Sequence, residues 1–147
     1  MSENWINTLR AVVYPSHCDA MGHLTIKEYM GFFDQAEWHC FAAIGFDPAW
    51  IEDRSMGWAD VHHEVDYKGE LLAGALVIGE SRVLRIGAKS LTTGHRLLNA
   101  TTGKICATLQ AVTVQYDLAQ RCAIPLAEEV RAAATRLLGE DQRDGGQ

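Results

Sequence analysis

The sequence lacks any apolar run close to the roughly 20 residues that a membrane-spanning helix needs, so no transmembrane segment is expected. It also lacks an excess of positive charge. It has 13 Lys and Arg but 19 Asp and Glu, and the net charge of −6 disfavours nucleic acid or an anionic membrane as a partner.

The four cysteines form no C-x-x-C pair, which disfavours zinc sites and disulfides. The start "MSENWINTLR" lacks the apolar core of a signal peptide, so we expect a cytoplasmic location with reduced thiols.

The chain is instead rich in apolar residues, which make up 48% of its 147 positions. This length and composition predict a single domain with one core, over residues 1–138. Residues 139–147, "GEDQRDGGQ", are polar, glycine-rich and without periodicity, and are predicted to form a flexible tail.

One long helix is predicted over residues 26–44, because apolar residues recur there at helical spacing. The apolar stripe consists of Ile26, Tyr29, Met30, Phe33, Ala36, Cys40 and Ile44. Thr25 begins "TIKE", a capping-box sequence in which the Thr25 hydroxyl and the Glu28 carboxylate would each accept a free amide of the first turn. Gly45 suits the left-handed position that ends a helix.

The rest of the chain is predicted to form strands over roughly 8–15, 61–67, 75–86, 88–98 and 104–117, followed by a short helix over 126–138. In the 61–67 strand, alternation places His63 on one face and Asp60, His62 and Glu64 on the other. Short turns containing Gly87 and "NATTGK" join the last three strands, which makes them antiparallel neighbours. The predicted fold class is α+β, with a five-stranded antiparallel sheet wrapped around one long central helix.

Such a sheet keeps an open edge and an uncovered face. Proteins usually protect both by pairing with a second copy. We therefore expect a homodimer, and a tetramer built as a dimer of dimers.

Three segments carry a family resemblance: "SHCDAMGHLTIKEYMGFFDQAEW", "HHEVDYKGELLAG" and "VLRIGAKSLTT". They resemble the hotdog-fold acyl-CoA thioesterases of the 4-hydroxybenzoyl-CoA thioesterase type, over roughly residues 8–130. The most specific part is D-A-M-G-H, from Asp19 to His23, which is followed by Tyr29 and by an acidic-Gln-Ala-acidic turn from Asp34 to Glu37. The resemblance implies a hotdog fold and hydrolysis of an acyl-CoA substrate, and no cofactor is expected.

The sequence departs from the family pattern at three places. His17 stands where a small acidic residue or threonine is frequent, "LTI" replaces "V-N-N", and "KGE" at 68–70 replaces a basic-proline turn. These departures bear on the substrate more than on the fold.

The resemblance assigns the catalytic role to Asp19, as nucleophile or general base, and the oxyanion-stabilising role to the backbone amide of Ile26. A turn at Gly22 would fold Asp19 over the positive N-terminal end of the helix. Composition alone favours an ordinary turn aspartate at this position, and the motif reverses that preference. His23, the third predicted catalytic residue, would orient the attacking water or make a structural hydrogen bond.

Four further residues are candidates for binding the acyl group: Tyr29, Trp58, His62 and Glu64. Together with Trp38 and Trp50, the aromatic pair Tyr29 and Trp58 could enclose a quaternary ammonium group, although such rings more often pack in cores or interfaces. His62 and Glu64 share a strand face, and either line the acyl site across a dimer or lie in solvent.

Three residues are predicted to contact CoA, because the resemblance places "RIGAKS" near the nucleotide end of the cleft: Arg85, Lys89 and Ser90. Arg82, Arg96 and Lys104 are further cations that could meet phosphate. No metal site is predicted at His62 and His63, because adjacent strand residues point to opposite faces and no third ligand has useful spacing.

The function expected is hydrolysis of a small or medium acyl-CoA thioester. The closing segment "VQYDLAQRCAIPLAEEVR" also resembles thioesterase domains of carnitine breakdown, which act on betainyl-CoA. A non-catalytic acyl-CoA-binding protein is the alternative, and a hotdog hydratase ranks last because its signature histidine and loop are not evident.

Overall fold

The computed structural model describes residues 5–144, with side-chain burial for residues 5–138. Within these residues, six strands and three α-helices follow one another. Their bounds are β1 (Ile6–Val12), α1 (Ile26–Ala43), α2 (Trp50–Asp53), β2 (Met56–Tyr67), β3 (Leu76–Ile86), β4 (Ser90–Asn99), β5 (Ile105–Asp117), β6 (Cys122–Ala123) and α3 (Glu128–Asp144). A single 3-10 turn, Pro15–His17, precedes α1.

The sheet has the strand order β1-β3-β4-β5-β2, with every neighbouring pair antiparallel. The short β6 pairs with β5 outside this path. The sheet curls around α1, so the predicted fold class is confirmed. Among the described strands, β1 and β2 end the main path, and each therefore keeps one unpaired edge.

The buried face of α1 holds the core together. Phe33, Ala36 and Cys40 are completely buried, at the helical spacing that the sequence predicted. One apolar cluster surrounds Phe33 under β1, β3, β4 and β5, and a second surrounds Ile44 next to α3. Burying a large apolar side chain is worth about 1.5–3 kcal/mol, so this face fixes the helix against the sheet.

The predicted start of α1 is correct, but the predicted capping box is wrong. Thr25 is the N-cap, yet its side chain makes no capping bond. The Thr25 amide, which the Glu28 carboxylate would have accepted, instead donates to the carbonyl of His17 at 3.1 Å. The end of the helix is as predicted, because Gly45 adopts a φ of +98°.

The strand predicted over 61–67 begins earlier, at Met56, and contains a β-bulge between Asp60 and His62. A bulge inserts one residue and so shifts the alternation of faces. Asp60 therefore lies on the same face as His63, with 3.8 Å between Asp60 Oδ1 and His63 Nε2. The predicted separation of these two residues is wrong for this reason.

The last helix, α3, continues to Asp144, beyond the predicted end at residue 138. Its final residues include good helix formers such as Glu, Gln and Arg, which extend a helix without an apolar stripe. Residues 139–144 of the predicted tail are thus helical, and residues 145–147 lie outside the described residues. Within the described part of the chain, no helix is long and apolar enough to cross a membrane.

A buried polar chain crosses the sheet beneath α1. His95 is 2% exposed, and its two ring nitrogens lie 2.7 Å from Ser81 Oγ and 2.8 Å from Thr93 Oγ1. Ser81 Oγ also lies 2.8 Å from Thr8 Oγ1. Each nitrogen of a neutral imidazole therefore has a partner, as a buried polar group requires.

Gly79 lies directly opposite Leu9 in the β1–β3 ladder, where a Cβ would come within 2.7 Å of the Leu9 Cβ. Gly79→Ala is therefore expected to lower the free energy of unfolding by about 1–3 kcal/mol, measured by urea denaturation. The matched control is Gly31→Ala on α1, where a Cβ meets nothing closer than 3.9 Å. This control should raise stability by about 0.4–1 kcal/mol, and equal effects of the two changes would contradict the packing described.

Burial, followed by the nearby charge of His63, lowers the pKa of His95 to about 3 from its ordinary 6.5. The unfolded chain therefore binds this proton more readily, and the stability contributed is present above the unfolded pKa and lost as pH falls towards 3. The loss should approach about 1.4 kcal/mol per pH unit. Urea unfolding of wild type and His95→Gln across this range should show a weaker acid dependence in the variant. If the free energy of unfolding depended on pH in the same way in both proteins, His95 would not be responsible for the acid dependence.

Candidate active site

The turn before α1 closes around Asp19. The Asp19 amide donates to the His23 carbonyl at 3.0 Å, and the Gly22 amide donates to the Asp19 carbonyl at 3.0 Å. Gly22 has a φ of +90°, which favours glycine and supports the turn predicted there. Leu24 follows and donates its amide to the Leu71 carbonyl at 2.8 Å, which attaches the turn to the loop before β3.

The two carboxylate oxygens of Asp19 have different surroundings. Oδ1 accepts the Met21 amide at 2.9 Å, the bond expected of a turn aspartate. Oδ2 lies 3.7 Å from His23 Nδ1. The side chains of Asp19 and His23 are 28% and 31% exposed. One oxygen thus holds the turn, while the other lies beside an imidazole.

The first turn of α1 supplies free amides next to this carboxylate. Ile26 is the first helical residue, so its N–H has no acceptor within the helix. The aligned peptide dipoles place positive potential at the same end. The Ile26 side chain is 65% exposed, and so it contributes little to the core.

Asp19, His23, Ile26 and Tyr29 come together in one cleft of about 380 Å³. Its remaining lining residues are Met21, Leu24, Tyr67, Gly69 and Glu70. The sequence thus identified four of the nine residues of this cleft. A carboxylate, an imidazole and a free helix N-terminus at one opening can attack a carbonyl group and stabilise the oxyanion that results.

Tyr29 lines the cleft together with Tyr67. The two rings meet edge to face, with 5.1 Å between centroids. The Tyr29 hydroxyl donates to the Gly69 carbonyl at 3.2 Å. Burial raises the pKa of Tyr29, and the nearby Cys106, Tyr67 and Glu70 raise it further, so the hydroxyl remains a donor. Tyr29 therefore both lines the cleft and ties α1 to the loop after β2.

Trp58 lies at the other end of β2, away from this cleft. Its ring stacks on Phe41, near the C-terminal end of α1, with 4.3 Å between centroids. Trp50, another predicted aromatic wall, has one face covered by the Arg54 guanidinium at 3.9 Å.

His62 and Glu64 share a strand face, as predicted, and His62 Nε2 lies 3.3 Å from Glu64 Oε2. His63 points towards α1, so alternation turns His62 and Glu64 to the outer face of the sheet. Glu64 there lines a shallow outer depression that also contains Trp5 and Arg82. Neither residue lines the Asp19 cleft.

Arg85, Lys89 and Ser90 lie where β3 turns into β4, and Arg85 and Lys89 are exposed. Ser90 pairs with Val114, whereas Ala107, opposite Tyr67, lies at the other end of β5. The predicted CoA-binding residues and the cleft are therefore at opposite ends of the sheet in one protomer. Lys104 is nearer to the cleft, because a Cβ on Gly69 would lie 3.4 Å from its Nζ.

A second cluster of ionisable groups joins the middle of α1 to β2. One potential ligand atom from each of Glu37, Asp60 and His63 lies within 4.8 Å of the others. Burial, and then the charges of Asp60 and Asp34, raise the pKa of Glu37 from 4.5 to about 8. The reasoning from spacing that His63 has no useful third partner is wrong, because Glu37 comes from a different element.

Sequence reasoning missed five lining residues: Met21, Leu24, Tyr67, Gly69 and Glu70. The D-A-M-G-H motif contains Met21 and could have indicated it. Gly69 and Glu70 belong to "KGE", a segment that departs from the family pattern. No local signal indicated Tyr67, since only the fold brings the end of β2 against the start of α1.

A profile of the thioesterase-like superfamily matches residues 13–134. Among solved structures, a thioesterase from Thermus thermophilus complexed with coenzyme A and Zn is 25% identical, with a TM-score of 0.79 over 94% of this chain and 98% of that one. A Staphylococcus aureus protein in complex with CoA is 13% identical, with a TM-score of 0.84 over 92% and 85% of the two chains. A 1,4-dihydroxy-2-naphthoyl-CoA thioesterase from Synechocystis is 16% identical, with a TM-score of 0.76 over 88% and 95%. A search of curated protein sequences gave no match.

The profile covers most of the chain, including the D-A-M-G-H turn, α1 and the four long strands. The curled sheet around one helix agrees with the solved structures over nearly their whole lengths. This chain belongs to the thioesterase-like superfamily, and is a thioester hydrolase of the hotdog fold.

Proposed function

We propose that this protein hydrolyses an acyl-CoA thioester to a free acid and CoA, with Asp19 as nucleophile or general base and the Ile26 amide as oxyanion donor. The observation that carries the proposal is that this carboxylate and a free helix N-terminal amide line the same cleft. The names of the solved relatives support the substrate class, since one acts on an aromatic acyl-CoA and two were solved with CoA.

The Ile26 N–H would bind the thioester carbonyl oxygen, which gains negative charge when its carbon is attacked. Asp19 either attacks that carbon, giving an acyl anhydride that water then opens, or removes a proton from an attacking water. In both routes the C–S bond breaks, CoA leaves as a thiolate that takes up a proton, and the acid is released. His23 is proposed to orient the water or the Asp19 carboxylate from its position 3.7 Å away.

The acyl group is proposed to be small or medium in size, because the cleft has a volume of about 380 Å³ and is lined by Tyr29 and Tyr67. These two rings could pack an apolar or aromatic acyl chain, or attract a cationic group such as betainyl. Trp50 and Trp58 already stack against Arg54 and Phe41, which favours the tyrosine pair for this role.

A homodimer formed through the open edge of β2 would bring predicted binding residues that lie far from the cleft in one protomer close to the cleft of the other protomer. Val61, at the middle of that edge, is 58% exposed. Antiparallel pairing centred between Val61 and His62 would set Tyr67 opposite the partner's Met56. The partner's Trp58, Arg85, Lys89 and Ser90 lie at that end of its sheet, and so would approach this cleft. The same pairing gives the proposed acyl-CoA site contributions from both protomers.

The alternative function is an acyl-CoA-binding protein without catalysis. The position of Asp19 Oδ2 beside His23 favours the enzyme, because a purely structural turn needs only the bond from the Met21 amide to Oδ1.

Asp19→Asn is expected to lower kcat by about 100-fold or more, because an amide can neither attack the carbonyl carbon nor accept a proton from water. The amide oxygen can still accept the Met21 N–H, so the melting temperature should change little. CoA thiol release should be followed with short, medium, 4-hydroxybenzoyl and betainyl thioesters, with Asp53→Asn in the exposed α2 as control. Binding of CoA esters without turnover by the wild type would favour the non-catalytic alternative.

Ile26→Pro tests the amide donor directly, since proline is well tolerated at the first helical position but has no N–H. The residue before it, Thr25, is already extended, as a residue before proline prefers. The variant should lose about 100- to 1,000-fold in kcat with little change in stability. Ile26→Ala, which keeps the amide, should retain most activity, and equal losses in the two variants would contradict the assignment.

A further inference from the structure

We propose that Glu37, Asp60 and His63 bind one divalent transition-metal ion, with zinc the preferred ion, at a site separate from the Asp19 cleft. None of the three residues lines that cleft. Glu37 lies eleven residues after Ile26 on α1, or about 16 Å along the helix. The proposal is thus independent of the proposed hydrolytic function.

The three side chains converge from two elements. His63 Nε2 lies 4.0 Å from Glu37 Oε1 and 3.8 Å from Asp60 Oδ1. Ligands bound to zinc at about 2.1 Å lie roughly 3.4 Å apart in a tetrahedral site, so small side-chain rotations would close these distances. Asp60 is half exposed and can make such an adjustment. The bulge at Val61 makes the arrangement possible, because it turns Asp60 and His63 to the same face.

Glu37 lacks the partner that a buried carboxyl group needs. The residue is 4% exposed, and its Oε2 has no hydrogen-bond partner among the described residues. Leaving such a group unpaired is costly, and a cation would offset that cost. The indole N–H of Trp58 is likewise buried without an acceptor among those residues, and Trp58 and Glu37 line the same small pocket.

The donor set decides the class of ion. Two carboxylates and one imidazole suit zinc and similar first-row ions, whereas calcium prefers six to eight oxygen ligands. Three protein ligands also leave a coordination position for water or for a group from a second copy of the chain.

The test is titration of the full chain, stripped with a chelator, with zinc by calorimetry and with cobalt by visible absorption. We expect one ion per chain and binding of calcium at least tenfold weaker than binding of zinc. Glu37→Gln and His63→Ala should each weaken zinc binding at least tenfold. Glu64→Gln and His62→Ala remove the same residue types from the opposite face of β2, and should change zinc affinity less than about twofold.

Wild-type protein that shows no saturable binding of zinc would overturn the proposal. It would also be overturned if His62→Ala, rather than His63→Ala, abolished binding. If a variant of a buried ligand fails to fold, zinc binding should be measured on Asp60→Asn instead. Asp60 is half exposed, so its replacement should leave folding intact. A rise in melting temperature with zinc that disappears in Asp60→Asn would support the site through a readout independent of catalysis.

Discussion

The axial position of α1 is the constraint on which the rest of the structure depends. Phe33, Ala36 and Cys40 are completely buried against the curled sheet. A shift of the helix by one residue would rotate this face by about 100° and expose apolar surface. The packing therefore fixes where the first helical amide lies, and the bond from Thr25 to the His17 carbonyl fixes the turn before it. The geometry of the candidate catalytic pair is thus a consequence of the core.

The same packing creates an unusual polar position in the middle of the helix. Glu37 sits on the buried face, one turn before Cys40 and one turn after Phe33, where an apolar residue would satisfy the core. Nearby, β2 departs from regular pairing at Val61 and brings two further ionisable groups under the helix. Two departures from local rules at one point of the fold are a common feature of functional sites.

The two ends of the sheet differ chemically, and this difference bears on the proposed homodimer. The cleft with Asp19 lies at the Tyr67 end of β2, while the exposed cations Arg85 and Lys89 lie at the other end. A single protomer therefore keeps the candidate reacting groups away from the candidate phosphate-binding groups. Antiparallel association through an open strand edge reverses one sheet relative to the other, and so is the simplest way to combine the two ends.

Local patterns in the sequence determined the elements of the fold. Apolar periodicity predicted α1 to within one residue at its end, because helix faces are set by neighbours three and four positions apart. The segment from Asp19 to Tyr29, which begins with the D-A-M-G-H motif, located four residues of the cleft for a similar reason, since turn, helix start and carboxylate lie close together in sequence. Tertiary structure alone decided what distant elements bring together. No local signal predicted the bond that replaced the capping box, the contact of Tyr67 with Tyr29, or the position of Glu37 beside Asp60 and His63. Each of these contacts joins residues whose proximity depends on how the sheet curls and where β2 bulges.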